Sequence, residues 1–347
     1  MSYPCLTIDN LKLESNCRNV FNHCHDAGLS VAAVTKCVRS HPEIVYATIR
    51  CGADFIADSR IDFLKKLNCS VPKLCTRTTM PGQEEDAVRY SDISVESEIS
   101  VLDSLNHAAF SLGLKHRVVL MIDLGDLREG IFFEDVDAIR YFVKKVLSLP
   151  NLEMYGIGTN LSCFGSILPD ETNLGHLVDI ARLIRAEFSI ELPFVSGGAT
   201  STYSLLCQGR LPEGITNLRI GEAWLTGYDT SSNLVIDNTF NDVFKIEAEI
   251  IEIKRKPSKP IGTPGKDAFG NSVEFADRGN ILRAICAIGK ADTDINSLFP
   301  CDKRIAVLGG SSDHLILDIS NADNYHVGDT VSFNVNYSSL MHFSQYL

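Results

Sequence analysis

Between residues 30 and 222, eight short runs rich in β-branched and apolar residues recur, each followed by a stretch long enough for a helix. The runs are SVAAVT (30–35), DFIADS (54–59), VPKLCTR (71–77), DISVES (92–97), RVVLMIDLG (117–125), EMYGIGTNLS (153–162), LPFVSGG (192–198) and ITNLRIGE (215–222). Strands that alternate with amphipathic helices form a parallel sheet with crossover helices. In the helical stretch at 173–188, for example, Leu174, Leu177, Ile180, Ala181 and Ile184 share one face. Eight strand–helix repeats favour a closed (β/α)8 TIM-like barrel over an open doubly wound sheet, so the fold class expected is α/β.

After about residue 228 the texture changes. Alternating runs such as VFKIEAEIIEI, NILRAICAIG, DHLILDI and DTVSFNVNY are separated by Gly, Pro, Asn and Asp turns, the pattern of a C-terminal all-β domain. The first run, PCLTID, precedes the first barrel helix and is expected to pair with that β-domain. The division expected is therefore an N-terminal strand at 1–10, a barrel at 11–228 and a β-domain at 229–347.

Composition excludes several roles. A formal net charge of -12 opposes nonspecific binding to nucleic acid or anionic lipid. The opening MSYPCLTIDN lacks a signal-peptide pattern, and no apolar run approaches the roughly 18 residues that span a bilayer. Eleven cysteines, odd in number and irregular in spacing, read as reduced thiols. A cytoplasmic protein with no membrane or nucleic-acid partner is expected. No CxxC or HExxH occurs, and His314, His326 and His342 have no suitable Cys partner, so no metal site is assigned.

In a barrel of this kind, residues just past the strand C-termini share one mouth, where chemistry is found. Those ends carry Lys36, Asp58 and Arg60, Arg77, Arg128, Thr159 and Asn160, Ser196-Gly197-Gly198, and Arg219 to Glu222. Glycine-bearing ends after strands 7 and 8 are the common barrel site for a phosphate. A phosphate site, a lone lysine and several arginines around one mouth point to pyridoxal 5'-phosphate bound through a Schiff base, since lysine shifts pKa readily when buried and its neutral amine is a nucleophile. Each element has a plainer reading alone: Lys36 as a solvated strand end, SGG as a turn, the arginines as caps. Their order around one mouth makes the joint reading the stronger.

The segments VAAVTK, FIADSR, LMIDLGDLREGI, GIGTNLSCFG, PFVSGGATSTYSLL, NLRIGEAWLTG, GKDAFGN, AIGKAD, GGSSDHLILD and VGDTVSF together resemble the ornithine racemase branch of the alanine racemase family, the fold type III pyridoxal phosphate enzymes. The resemblance spans about residues 3 to 337. It implies an amino-acid racemase working as a homodimer with shared active sites. Lys36 matches the Schiff-base lysine and one of two catalytic bases, and Arg128 matches the arginine near the cofactor's phenolic oxygen. Asn160 falls where alanine racemases have a histidine against the pyridine ring. Ser196, Gly197, Gly221, Glu222 (by backbone) and Tyr337 match phosphate contacts, and Arg219 matches the residue that faces the pyridine nitrogen in the family.

An arginine at that last position leaves the ring nitrogen unprotonated and weakens the electron sink, which suits return of a proton over decarboxylation. The family's second base, a tyrosine, has no counterpart in Ala287–Asp292; Lys290 stands at its place, with Asp313, Asp292 and His314 as other candidates. The plainer readings are a surface turn lysine for Lys290 and a hairpin cap for Asp313. Asp292, Asp294, Asp267 and Glu222 offer partners for a cationic substrate tail such as that of ornithine or lysine, or are solvated loop residues. A decarboxylase of the same fold and a non-catalytic cofactor carrier are the rivals; the strand-rich tail speaks against the carrier.

Overall fold

The apolar runs of the amino-terminal two thirds form parallel strands. In the computed structural model, which describes residues 3–232, 234–266, 270, 272 and 274–347, the chain divides into two units, Asn10–Asn241 and Met1–Asp9 with Asp242–Leu347. Strand β1 (Cys5–Ile8) lies in the second. The first holds β2 (Ser30–Val34), β3 (Phe55–Asp58), β4 (Lys73–Cys75), β5 (Ile93–Glu96), β6 (His116–Asp123), the two-residue β7 (Ile131–Phe132), β8 (Leu152–Gly158), β9 (Phe194–Ser196) and β10 (Asn217–Ile220). Each pairs in parallel with the next around the ring, β10 returns to β2, and β5 joins β6 directly, which closes an eight-stranded barrel. Only β7 lies outside the ring, paired to β6 alone.

Side chains alternate across each strand, so every second residue points into the barrel. Ala32, Phe55, Ala57, Leu74, Ile93, Val95, Val119, Met121 and Phe194 form one buried cluster there. Phe55 and Phe194 meet edge to face at 5.6 Å. The cluster is closed by small residues where two backbones approach: a Cβ on Gly156 would lie 1.9 Å from the Phe194 carbonyl oxygen.

Nine helices of this unit are described: α1 (Asn10–Asp26), α2 (Pro42–Arg50), α3 (Ile61–Leu64), α4 (Glu84–Tyr90), α5 (Leu102–Leu112), α6 (Val136–Leu147), α7 (Glu171–Phe188), α8 (Thr200–Cys207) and α9 (Glu222–Thr226). Helix α7 shows why they form where they do. Asp170 caps it, accepting from the Asn173 N–H while the Asn173 side chain accepts from the Asp170 N–H, which satisfies two otherwise orphaned donors. Its stripe of Leu174, Leu177, Ile180, Ala181 and Ile184 is buried, each large member contributing about 1.5–3 kcal/mol of transfer free energy.

The unit boundary falls later than the change of texture at residue 228. Residues 229–241, expected in the β-domain, go with the barrel because their backbone is bonded to α1: Asn16 donates to the Phe240 carbonyl (2.8 Å) and accepts from the Phe240 N–H (2.7 Å), and Asn19 donates to the Asp237 carbonyl (3.0 Å). These are side-chain bonds that hydrophobic alternation does not register.

The second unit is an antiparallel sheet built on the long β11 (Phe244–Pro257). Strands β12 (Asn280–Cys286), β13 (Leu298–Pro300), β14 (Ala306–Gly310), β15 (Leu315–Asp318) and β16 (Thr330–Val335) complete it in the order β13-β16-β11-β12-β15-β14, and β1 pairs with β11 from Cys5↔Glu247 to Ile8↔Phe244. A short helix, α10 (Tyr337–Phe343), follows. Among the described residues no helix is long and apolar enough to cross a membrane.

Candidate active site

Lys36 comes just after β2, past Thr35, and opens a single 3-10 turn, Lys36–Val38. Its side chain is exposed in the single chain. The turn is held by strained backbone: Arg39 (φ 49°) and Ser40 (φ 50°) are consecutive non-glycine residues in the left-handed region. That conformation delivers the Ser40 hydroxyl to the buried carboxylate of Asp58 at the end of β3, at 2.6 Å, with Thr35 Oγ1 2.8 Å from Ser40 Oγ and the Arg60 N–H donating to Asp58 at 2.9 Å. The ring of bonds fixes where Lys36 leaves the barrel wall.

Burial raises the Asp58 carboxyl to about 6, against the opposing pull of the Ser40 and backbone hydrogen bonds. A carboxyl with a folded pKa above its unfolded one stabilises the native state while protonated, and that contribution is lost as pH rises from about 4 to about 6. Asp58→Asn does not titrate. Its stability relative to the parent chain is therefore expected to improve by on the order of 2–3 kcal/mol between pH 4 and pH 7, as read by urea denaturation at both pH values; a difference independent of pH would contradict the assignment.

On β10, the strand next to β2 in the barrel, Arg219 is buried and points inward. It donates to Ser196 Oγ on β9 (2.6 Å), to the Thr159 carbonyl (2.5 Å) and to Asn160 Oδ1 (2.9 Å), the last two just past β8. Burial pulls its guanidinium down to about 10, with the charge of Glu129 the main influence opposing that fall. Space for it is made by Gly158, where a Cβ would stand 2.9 Å from Nη1. Ser196 is thereby committed to Arg219 and to Asn217 Oδ1 (2.8 Å).

The ends of β9 and β10 are tied together by a residue that the sequence did not single out. Thr200, opening α8, accepts through Oγ1 from the Gly221 N–H (3.2 Å) and the Ala223 N–H (3.4 Å). Gly197 donates to the Asn217 carbonyl (3.0 Å). Gly221 lies against β2, where a Cβ would be 3.4 Å from Val34, so the 221–222 turn adjoins the strand that carries Lys36. Glu222 is held by Thr230 (2.8 Å), and burial raises its carboxyl.

Arg128 sits in the loop after β6. Asp123 accepts from the Gly125 and Leu127 N–H groups, Leu127 is left-handed (φ 56°), and Gly130 (φ 131°) packs so tightly that a Cβ would meet the Asp123 nitrogen at 2.6 Å. Asp126 braces the loop from the other side by accepting from the Cys163, Phe164 and Ile167 N–H groups. The Arg128 guanidinium pairs with Glu129, and Glu129 accepts from Asn160 Nδ2 (2.6 Å).

Lys36, Arg128, Asn160, Ser196, Gly197, Arg219, Gly221 and Glu222 therefore all lie at the strand C-termini of one barrel. Lys290, Asp313 and Tyr337 belong to the second unit. There the turns after β12 and β14 are zipped together by Lys290 N–H to Ser311 O and Ala291 N–H to Ser312 O, both 2.9 Å, which brings Lys290 and Asp313 into one turn pair. Asp292 is occupied by Gly289 N–H (2.8 Å) and the Tyr346 hydroxyl (2.6 Å), and Asp294 by Ser297 and Ser338. Tyr337 opens α10, which packs on this segment through the Thr293 hydroxyl to the Ser339 carbonyl (2.9 Å). Asp267 lies outside the described residues.

The residues that sequence reasoning missed are Glu129, Thr200 and Asp126. Glu129 and Asp126 stand within DLGDLREG, yet one-residue spacing carries no sign of shared chemistry until the loop turns them.

The alanine racemase N-terminal domain model matches residues 8–228. The ornithine racemase of Acetoanaerobium sticklandii is 45% identical over 98% of this chain and 96% of its own length. The lysine racemase of Thermotoga maritima is 36% identical, again over 98% and 96%. Among solved structures, an alanine racemase of Streptomyces lavendulae superposes with a TM-score of 0.77 at 15% identity, over 99% of this chain and 96% of that one.

Proposed function

We infer the activity from descent: this chain belongs to the alanine racemase family, and it is an amino-acid racemase. We propose that it interconverts the enantiomers of ornithine or lysine, with pyridoxal 5'-phosphate as cofactor. The support for this substrate class is the similarity to an ornithine racemase and a lysine racemase along nearly the whole chain. Enzymes of this family depend on pyridoxal phosphate in general.

The donor set of the barrel mouth fits that cofactor. Lys36 offers an amine, Arg128 and Arg219 offer two guanidinium groups, and the chain turns at Gly197 and at Gly221–Glu222 bring backbone to the same rim. When bound, the cofactor supplies the electron withdrawal that acidifies the proton on the substrate's α-carbon. The observation that carries the reading is Arg219: a buried cation, hydrogen-bonded only to uncharged oxygens, is fixed where it cannot swing away. Beside the ring nitrogen of a bound cofactor, such a cation would keep that nitrogen from taking up a proton, which would restrain the electron sink and favour return of the α-proton over loss of the carboxylate.

Inversion needs acid–base groups on both faces of the reacting carbon. Lys36 Nζ serves one face. For the other we propose the turn pair bearing Lys290 and Asp313, contributed by a second copy of the chain, with Tyr337 assisting at the phosphate.

Incubation of the purified protein with L-ornithine, L-lysine and L-alanine, followed by chiral chromatography and a visible absorption spectrum, tests the proposal. D-ornithine or D-lysine should accumulate well ahead of D-alanine, with an absorption band due to bound cofactor. Equal activity on alanine would remove the substrate assignment, and release of carbon dioxide would replace the racemase reading by the decarboxylase one.

A further inference from the structure

Arg219 and Arg128 come from different strand ends, yet one chain of hydrogen bonds joins them. Arg219 donates to Asn160 Oδ1 (2.9 Å), Asn160 donates through Nδ2 to Glu129 Oε1 (2.6 Å), and Glu129 receives the Arg128 guanidinium. The carboxamide of Asn160 is thus polarised between a cation and an anion, acceptor end to Arg219 and donor end to Glu129. Neighbouring side chains ordinarily diverge; Arg128 and Glu129 converge because Leu127 is left-handed and Gly130 turns the chain at φ 131°.

We propose that Glu129 is a positioning residue of the racemase, which balances the charge of Arg219 through Asn160 and holds Arg128 in the same array, so that the two arginines act on the cofactor as one unit. This rests on the racemase reading above. Three features support it. All the direct acceptors of Arg219 are uncharged, so its counter-charge must come from further out. Glu129 is the charge that most favours the protonated guanidinium there; the other groups facing it are Arg128, which opposes, and Cys163, with Asp126 and Cys163 on the Arg128 side. Burial works to raise the Glu129 carboxyl, but the Arg128 and Asn160 hydrogen bonds outweigh it and keep the group ionised.

The test compares the wild-type holoenzyme with Glu129→Gln and Glu129→Asp. The Glu129 side chain is 24% exposed, and glutamine has the same shape, so the fold should survive. Removing a negative charge near the cofactor disfavours its protonated form. The alkaline transition of the visible band in Glu129→Gln should therefore move to lower pH by about one unit, and kcat should fall about 10- to 100-fold with KM within about 3-fold. Glu129→Asp, which keeps the charge, should return the transition towards its wild-type position. A wild-type band with an unchanged transition and unchanged kcat in Glu129→Gln overturns this inference alone. A wild-type protein that shows neither band nor racemisation overturns the reading beneath it, and the inference with it.

Discussion

Lys36→Ala is expected to reduce racemisation of ornithine or lysine by about 10³-fold or more and to abolish the visible band of the bound cofactor. The size follows from the double duty proposed for one amine, which serves both as covalent anchor and as proton carrier for one face. The loss should be chemical. Lys36 is exposed, and its structural work is done by backbone, the Lys36 carbonyl accepting from the Arg39 N–H (3.2 Å) while Ser40 and Asp58 hold the turn. Thermal unfolding of the variant without cofactor should match that of the parent chain without cofactor to within about 2 °C, as is usual for surface substitutions. A variant that racemises at the parental rate would end the assignment of Lys36; one that is inactive but also grossly destabilised would show that the turn depends on the side chain.

Gly156→Ala should be the most damaging small substitution for the fold. Strands β8 and β9 pair with Gly156 opposite Phe194, and the added Cβ would lie 1.9 Å from the Phe194 carbonyl oxygen and 2.7 Å from its Cβ. Neither obstacle is the free end of a flexible side chain. The two strands must therefore separate, and Phe194 is one of the residues that fill the barrel. A loss of about 3 kcal/mol is expected, at the upper end of overpacking effects. Gly175→Ala is the matched control: nothing lies within 4 Å of its added Cβ, it sits within α7, and the exchange should stabilise by about 0.5–1 kcal/mol. Urea denaturation of both variants measures the contrast, and similar midpoints would refute it.

Much of this was legible in the order of residues alone. Eight apolar runs interleaved with amphipathic stretches are enough to specify a closed parallel barrel, because each strand needs both faces covered and each helix needs one face buried. The rim positions of Lys36, Arg128, Asn160 and Arg219 were legible because a strand's C-terminal end can be read from hydrophobic periodicity, and in this fold all such ends share one rim. Tertiary structure decided what those residues touch. Ser196, read as a phosphate contact, has its hydroxyl drawn to Arg219 and Asn217, while Thr200 stands at the Gly221 and Ala223 N–H groups. Residues 229–241 join the barrel through bonds to Asn16 and Asn19 more than 200 positions away. Glu129 becomes the link between two arginines only once Leu127 and Gly130 bend the loop. Periodicity reports which face of a strand or helix is buried, since burial of many side chains is averaged into the pattern. It says nothing of a single polar contact, which depends on loop dihedrals and on residues far apart in the chain.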